Sequence, residues 1–320
     1  MRKNLYSISW IRALAVVFIL TCHLVAESPN VYVQMLGQFF NVGVNIFILI
    51  SGVLFGGKEI SNVKQWYEKR FERIYIPLWV FLSILAIFSL FRHIDMPISN
   101  WVLAVLGVQG SVVGVWGADH TWYISVILMC YLITPFIGKI INRVEKNTLT
   151  RDFSYVILAV LPVVFALLKS PAFYTLLSPI VLYIFGYILG RNINFTRSYG
   201  KSVIYVILVI VMFGIRIGSK LMFDGSILYD RIAVFYTQSL IAVFMLLWFI
   251  NVFKNKKTVK IVECIDKYSY EIYLVHYMFI VGPVSLMHIT ESWIVNIAVT
   301  LIATCITAFC VNKVSNKLIK

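Results

Sequence analysis

Long apolar runs of near-membrane length constrain the fold of this chain more than any other feature. We predict about ten membrane-crossing helices, each close to the roughly 20 residues that a hydrocarbon core requires. They lie at 8–26, 38–57, 75–91, 120–141, 154–170, 175–190, 202–218, 231–253, 268–288 and 292–313. Hydrophobic residues make up 60% of the 320 residues and charged residues only 13%, a balance that excludes an ordinary soluble protein. The sequence predicts an all-α, polytopic membrane protein.

The segments between these runs are short. We therefore expect one integral-membrane domain over 1–320 and no separate soluble domain. The apolar stretch 101–110, within the loop 92–119, is too short to cross a membrane, so we expect it to be re-entrant or interfacial. Four glycines lie in the same loop: Gly107, Gly110, Gly114 and Gly117. They give it either the backbone freedom of a lid or simple flexibility.

The net charge of +14 is explained by membrane topology better than by nucleic-acid binding. With a cytoplasmic N-terminus, most of the 28 basic residues fall inside, in clusters such as 58–73 and 254–267. Acidic residues such as Glu27, Asp119 and Glu291 then fall outside. Because this Lys and Arg bias orients membrane proteins, we predict cytoplasmic termini, a multi-pass location in the plasma or inner membrane with the lipid bilayer as a partner, and no nucleic-acid partner.

Metal and disulfide chemistry have no support in the sequence. The five cysteines are scattered without paired spacing, so neither a disulfide framework nor a metal site is expected.

Arg12 and His23 share one face of the first predicted helix. Their separation of eleven residues corresponds to about three turns, which points both side chains the same way but places them roughly 16 Å apart. Ionisable groups inside a bilayer are costly and usually functional. We expect something long and polar to lie between them.

Arg70 and Arg73 form a second basic feature, just before the third predicted helix. Residues three apart on a helix are neighbours, so the two guanidinium groups can face one anion. Alternatively, they are ordinary anchors at the cytoplasmic membrane surface. The depth of Arg12 favours the anion site.

Polar groups gather at the opposite, outer side. Glu27 follows His23 by four residues, within reach of a hydrogen bond that would fix the imidazole. Asp119 and His120 open the fourth predicted helix. Trp122 and Tyr123 come next, either as substrate contacts or as part of an interfacial aromatic belt.

Two further positions leave alternatives open. His276 lies in the ninth predicted helix, on one face with Tyr273 and Ser269, and either lines a tunnel or forms a polar seam between helices. Ser51 precedes Gly52 and has no activating neighbour in sequence, so we interpret the pair as small residues that permit close helix packing and let the second predicted helix approach such a tunnel.

Five segments in this order resemble the acyltransferase 3 family of integral-membrane acyltransferases. They are Arg12 with His23, Phe47–Gly52, Arg70–Arg73, His120–Tyr123 and Ser269–His276. One departure is Ile48, where the family commonly has a second phenylalanine. The resemblance implies transfer of an acyl group, commonly acetyl from acetyl-CoA, to a hydroxyl of a surface glycan or a lipid-linked saccharide. Acyl-CoA would be a donor substrate rather than a tightly bound cofactor.

This chemistry assigns roles to the residues above. Arg12, Arg70 and Arg73 would bind the CoA phosphates, and the pantetheine arm would run along the first helix. We expect His23 to act as general base with Glu27 orienting it, or to form an acyl-histidine intermediate. The oxyanion donor stays open among His120, Tyr123 and a backbone amide of the glycine-containing loop.

Two other classes compete with the enzyme. A transporter or flippase for a polyanionic or glycan substrate would also bury ionisable residues among many helices, but the sequence lacks matching halves. A non-catalytic membrane sensor would not need the combination of arginines and histidines.

Overall fold

A computed structural model describes residues 6–108, 114–168, 171–195, 199–254 and 256–319. These residues form helices and loops, with no strand among them. Nine helical segments in this described part are long and apolar enough to cross a membrane. The prediction of an all-α, polytopic membrane protein is confirmed.

Thirteen α-helices make up the described chain. They are α1 Tyr6–Ala26, α2 Val31–Phe40, α3 Gly43–Phe55, α4 Val63–Phe91, α5 Ile98–Val105, α6 Trp122–Val144, α7 Thr148–Leu167, α8 Pro171–Asn192, α9 Ser202–Phe223, α10 Val234–Phe253, α11 Lys260–Lys267, α12 Ser269–Ile280 and α13 Trp293–Leu318. A 3₁₀ turn, Asp119–Thr121, precedes α6, and a π-helical turn, Leu228–Ala233, precedes α10. Side-chain oxygens of Asn30, Asn62, Asn147 and Ser292 cap the first turns of α2, α4, α7 and α13, which satisfies backbone amides that have no partner within the helix.

Two predicted runs differ from the observed helices. The run 38–57 is divided into α2 and α3, which together count as one candidate span, Val31–Phe55. The run 268–288 is helical only as far as Ile280, because Gly282 and Pro283 follow and proline cannot continue the hydrogen-bond ladder. The resulting α12 has 12 residues, too few to cross a bilayer alone.

The chain divides into two compact units. The first holds the chain up to Ala15, Val42–Ser61 and Met129–Glu263, and the second holds Val16–Asn41, Asn62–Leu128 and the chain from Cys264. A single membrane domain over 1–320 stays a prediction.

Within the first unit, glycines let α3 and α8 approach closely. A Cβ added to Gly52 or Gly56 would collide with the backbone of α8. Reciprocally, a Cβ on Gly186 or Gly190 would collide with the backbone of α3, in the case of Gly190 at 2.8 Å from the carbonyl carbon of Val53. Small residues four apart are typical of membrane helices whose backbones touch. The close-packing interpretation of Gly52 is therefore confirmed.

Within the second unit, α4 contacts α5, α12 and α13, and α12 packs against α13. The hydroxyl of Tyr75 and the indole of Trp79 donate to carbonyl oxygens at the end of α5, at 2.8 and 2.9 Å. The helix α5 has only 8 residues, as its short apolar stretch predicts.

The loop that follows α5 includes residues 109–113, which are outside the described residues. Hydrogen bonds hold the described residues before and after them. Ser125 donates to the carbonyl oxygen of Gly107 at 2.8 Å, and the indole of Trp116 donates to that of Val281 at 2.9 Å. Gly107 and Gly117 both have positive φ, 66° and 91°, a conformation that glycine adopts without strain. Gly110 lies outside the described residues.

Candidate active site

Three histidines from three elements of the second unit meet in one cluster. His23 lies in the last turn of α1, His120 in the 3₁₀ turn before α6, and His276 in α12. The ring of His276 lies 5.3 Å from that of His23 and 4.8 Å from that of His120, between centroids. His120 and His276 are buried, whereas His23 is partly accessible. The fold therefore joins two predicted catalytic histidines with His276, for which the sequence left open a tunnel lining or a polar seam.

One backbone carbonyl sets the tautomers of two of these histidines. Nε2 of His120 and Nδ1 of His276 lie 2.8 and 2.7 Å from the carbonyl oxygen of Tyr273. Because a carbonyl oxygen only accepts, each of these nitrogens carries the hydrogen in the neutral ring. The other nitrogens, Nδ1 of His120 and Nε2 of His276, are buried and have no hydrogen-bond partner in the described part of the chain. Two proton acceptors are thus held within the cluster.

Tyr277 lies against all three histidines, and the sequence analysis missed it. Its ring centroid is 5.0 Å from His23, 5.0 Å from His120 and 6.1 Å from His276. The sequence offered one signal for Tyr277, its position directly after His276. Adjacent residues on one helix point in directions about 100° apart, however, so helical periodicity gave no reason to combine them.

Tyr273 supports the cluster from the next turn of α12. Its hydroxyl donates to the carbonyl oxygen of His120, and its ring packs against His120 with centroids 5.0 Å apart. Tyr123 is buried against the other side of Tyr273, at 5.3 Å between centroids. This mutual bonding fixes the start of α6 on α12.

Glu27 does not hydrogen-bond to His23 in the described structure, which corrects the expected pairing. Its carboxylate instead lies 3.6 Å from Nε2 of His288. The reason is local: α1 ends at Ala26, and Glu27 falls in a turn whose backbone amide reaches Leu24. The four-residue spacing therefore no longer places it beside the histidine.

The residues next to His120 in the sequence lie in different environments. Asp119 is exposed, and the backbone of Gly114 packs so closely on its carboxylate that a Cβ there would overlap it. Trp122 is half-buried. Substrate contacts by Asp119, Trp122 and Tyr123 stay predictions.

Arg12 lies on the first helix, as predicted, whereas Arg70 and Arg73, predicted just before the third helix, lie within α4. Arg70 and Arg73 are one turn apart on α4, with Arg73 exposed and the guanidinium of Arg70 at 5.7 Å from the ring of Trp66. Arg12 is half-buried on α1, the same unbroken helix that carries His23. Their separation along that helix is therefore roughly 16 Å. That Arg12, Arg70 and Arg73 bind one anion stays a prediction.

The comparison with protein families decides the class. The model of the acyltransferase 3 family, described as an acyltransferase domain, matches residues 5–312. The chain belongs to the acyltransferase 3 family. No curated protein and no solved structure matches it.

As a member of the acyltransferase 3 family, the chain is a multi-pass membrane acyltransferase. The family favours an enzyme over the transporter and the sensor. Among the described residues, no group of three or more His, Cys, Asp or Glu side chains has the geometry to hold a metal ion. Ser51 is half-buried in α3 beside the glycine contact with α8, and a place beside a donor tunnel stays a prediction.

Proposed function

We propose that this acyltransferase moves an acetyl group from cytoplasmic acetyl-CoA to a hydroxyl of a surface glycan or of its lipid-linked precursor. The observation that carries the proposal is the cluster of His23, His120 and His276. The partly accessible ring of His23 lies there against the buried ring of His276, which in turn contacts the buried ring of His120. Each of the two buried rings holds one nitrogen that can accept a proton. Such a site suits removal of a proton from a hydroxyl as it attacks a carbonyl.

His23 is the general base in this proposal. It is the only one of the three clustered histidines that is partly accessible, and it shares α1 with Arg12. His120 and His276 each hold a hydrogen bond to the carbonyl of Tyr273, so they keep the cluster in place and polarise its interior. Glu27 contacts His288, so it does not orient His23 in this proposal.

In this proposal the acyl group is transferred in one displacement at the thioester carbon. His23 accepts the hydroxyl proton, the acceptor oxygen bonds to the thioester carbonyl carbon, and the carbon–sulfur bond breaks. The imidazolium then returns its proton to the departing CoA thiolate. Attack by His23 itself, followed by transfer from the acyl-imidazole, would use the same groups in two steps.

Tyr277 supplies the oxyanion donor. Its ring contacts all three histidines, and a phenol hydroxyl donates to developing negative charge. Neutral His120 cannot do so with its free Nδ1, because its single ring hydrogen is directed at Tyr273.

The donor binds at the other end of α1. Arg12, Arg70 and Arg73 carry guanidinium groups that match phosphate oxygens in paired hydrogen bonds. With the phosphates there, a slim arm lying along α1 covers the roughly 16 Å to His23. This arrangement requires the segments 58–73 and 254–267 to face the cytoplasm and 92–119 to face outward, as their charges predict.

The amount of acetate bound to surface glycans in cells tests the proposal. Mass spectrometry after mild alkaline release is expected to show acetylation falling at least about 100-fold for His23→Asn, because general-base catalysis contributes that much or more. The matched control is His93→Asn: His93 is exposed and has φ of 52°, which asparagine tolerates. Protein levels are matched by immunoblot.

The contrary outcomes are distinct. Normal acetylation in His23→Asn cells would contradict the general-base role. Loss of glycan export in that variant with acetylation intact would favour the transporter.

A further inference from the structure

A polar cavity of about 380 Å³ lies in the second unit, where α1 ends and α13 begins. Its walls come from 26–34 and 287–296. The lining includes Glu27, Ser28, Gln34, His288, Glu291 and Trp293. A cavity of this volume lies within the usual range for small-ligand sites.

The cavity lies close to the end of α1 that carries His23. Leu24, which follows His23 in α1, belongs to one buried cluster with Met287 of the cavity wall, and Trp293 of the wall packs against that cluster. A molecule held in the cavity would therefore lie next to the part of α1 that carries the proposed base.

Hydrogen bonds fix one wall in a single shape. The amide of Asn296, which is buried, donates to the carbonyl oxygens of Met287 and Thr290, each at 2.8 Å. Its oxygen accepts from the backbone and hydroxyl of Thr290 at 3.0 and 2.8 Å. This loop is thus built around one buried asparagine, which lowers the ordering cost of binding.

Other lining residues are also held by contacts within the fold. Gln34 donates to the carbonyl oxygen of Ser28 at 2.7 Å. Leu24, Ile280 and Met287 form a buried cluster, and Trp293 packs against it. The indole is therefore a fixed aromatic surface at the cavity.

The lining favours one kind of ligand. Two carboxylates, Glu27 and Glu291, offer acceptors to hydroxyl or ammonium donors, and Trp293 offers an apolar face to the flat side of a sugar ring. The basic side chain in the lining is His288, which lies 3.6 Å from Glu27, and lysine and arginine are absent from the lining. With two carboxylates to one imidazole, an anionic ligand would face like charge, which costs affinity.

We infer that this cavity is the acceptor subsite and that it takes a neutral sugar or an amino sugar rather than a uronate or phosphate-bearing unit. The inference rests on the proposed acyl transfer for its biological meaning. The binding itself is independent of that chemistry.

Binding to the full chain in lipid nanodiscs tests the inference by isothermal titration calorimetry, without acetyl-CoA. The probes are three trisaccharides of equal length, made of N-acetylglucosamine, glucosamine or galacturonic acid. The neutral or the amino probe is expected to bind at least about tenfold more tightly than the uronate. Preference for the uronate, or no binding of any probe, would overturn the inference.

Variants locate the binding. Glu291→Gln and Trp293→Ala are expected to weaken binding of the preferred probe about tenfold, which is the usual effect of losing a hydrogen bond to a charged group or a stacking surface. Asp95→Asn, at an exposed carboxylate outside the cavity, is the matched control. Since Glu291 is exposed, its variant keeps the test valid even where Trp293→Ala misfolds.

His23→Asn separates this inference from the proposed function. It is expected to bind the probe like the wild type while losing acyl transfer. If Glu291→Gln and Trp293→Ala both transfer the acyl group and bind the probe as tightly as the wild type, the cavity assignment alone is overturned. Probe binding that depends on the cavity, in a protein that transfers no acyl group, would overturn the proposed function alone.

Discussion

At the scale of single residues, the carbonyl oxygen of Tyr273 sets the chemistry of the cluster. It accepts from both His120 and His276, so neither ring is free to rotate or to exchange tautomers without losing a buried hydrogen bond. His23 has no such constraint from Tyr273. For this reason we propose positioning roles for His120 and His276 and proton transfer by His23.

Tyr277→Phe tests the oxyanion donor. The change removes only a hydroxyl and keeps the ring that packs against the histidines. We expect kcat to fall about 100-fold or more, as on loss of one oxyanion donor, while KM for acetyl-CoA changes little. Steady-state kinetics of the purified enzyme measure both constants.

Tyr32→Phe is the control for that change, because Tyr32 is 77% exposed. Wild-type kcat in Tyr277→Phe would remove Tyr277 from the catalytic account. An equal loss in both variants would show that the assay responds to the substitution itself.

The sequence alone identified candidate functional residues that are related by their spacing on one helix or within one motif. Arg12 and His23 follow from helical spacing, and Arg70 and Arg73 from adjacency on a turn. The meeting of His23 with His276, and the ion pair of Glu27 with His288, depend on which elements pack together. Spacing along the chain carries no information about that packing.

At the scale of helices, the ends of a helix are harder to predict from the sequence than its presence. The helix α4 begins at Val63, well before the apolar run at 75–91, because Lys, Arg and Glu are good helix formers although they end a hydrophobic run. In α12, by contrast, Gly282 and Pro283 end the helix inside a run that stays apolar. Hydropathy measures the environment, whereas helix ends depend on backbone chemistry.

Gly186→Ala tests the close contact of α3 and α8. Its Cβ would meet the backbone of Leu49, so we expect a loss of about 1–3 kcal/mol in the free energy of unfolding, the usual cost of overpacking. The control is Gly214→Ala on α9, where a Cβ would have nothing within 4 Å. Thermal unfolding in detergent measures both, and equal melting temperatures would contradict the contact.

At the scale of the whole molecule, the proposal depends on the predicted orientation of the charged segments. The basic cluster 58–73, which contains the arginine pair, is predicted to face the cytoplasm, and the segments with Glu27 and Glu291, which line the proposed acceptor cavity, are predicted to face outward. The helix α1 carries Arg12 and, in its last turn, His23. The proposed path of the donor follows this helix.

Sealed vesicles from cells that produce the protein test this account most directly, because they contain the native acceptor. Radiolabelled acetyl-CoA is added to inside-out and to right-side-out vesicles, and label in alkali-releasable glycan acetate is counted. We expect label only in inside-out vesicles, and none when these carry His23→Asn. Labelling of right-side-out vesicles, or undiminished labelling with His23→Asn, would contradict acyl transfer from a cytoplasmic donor through this histidine.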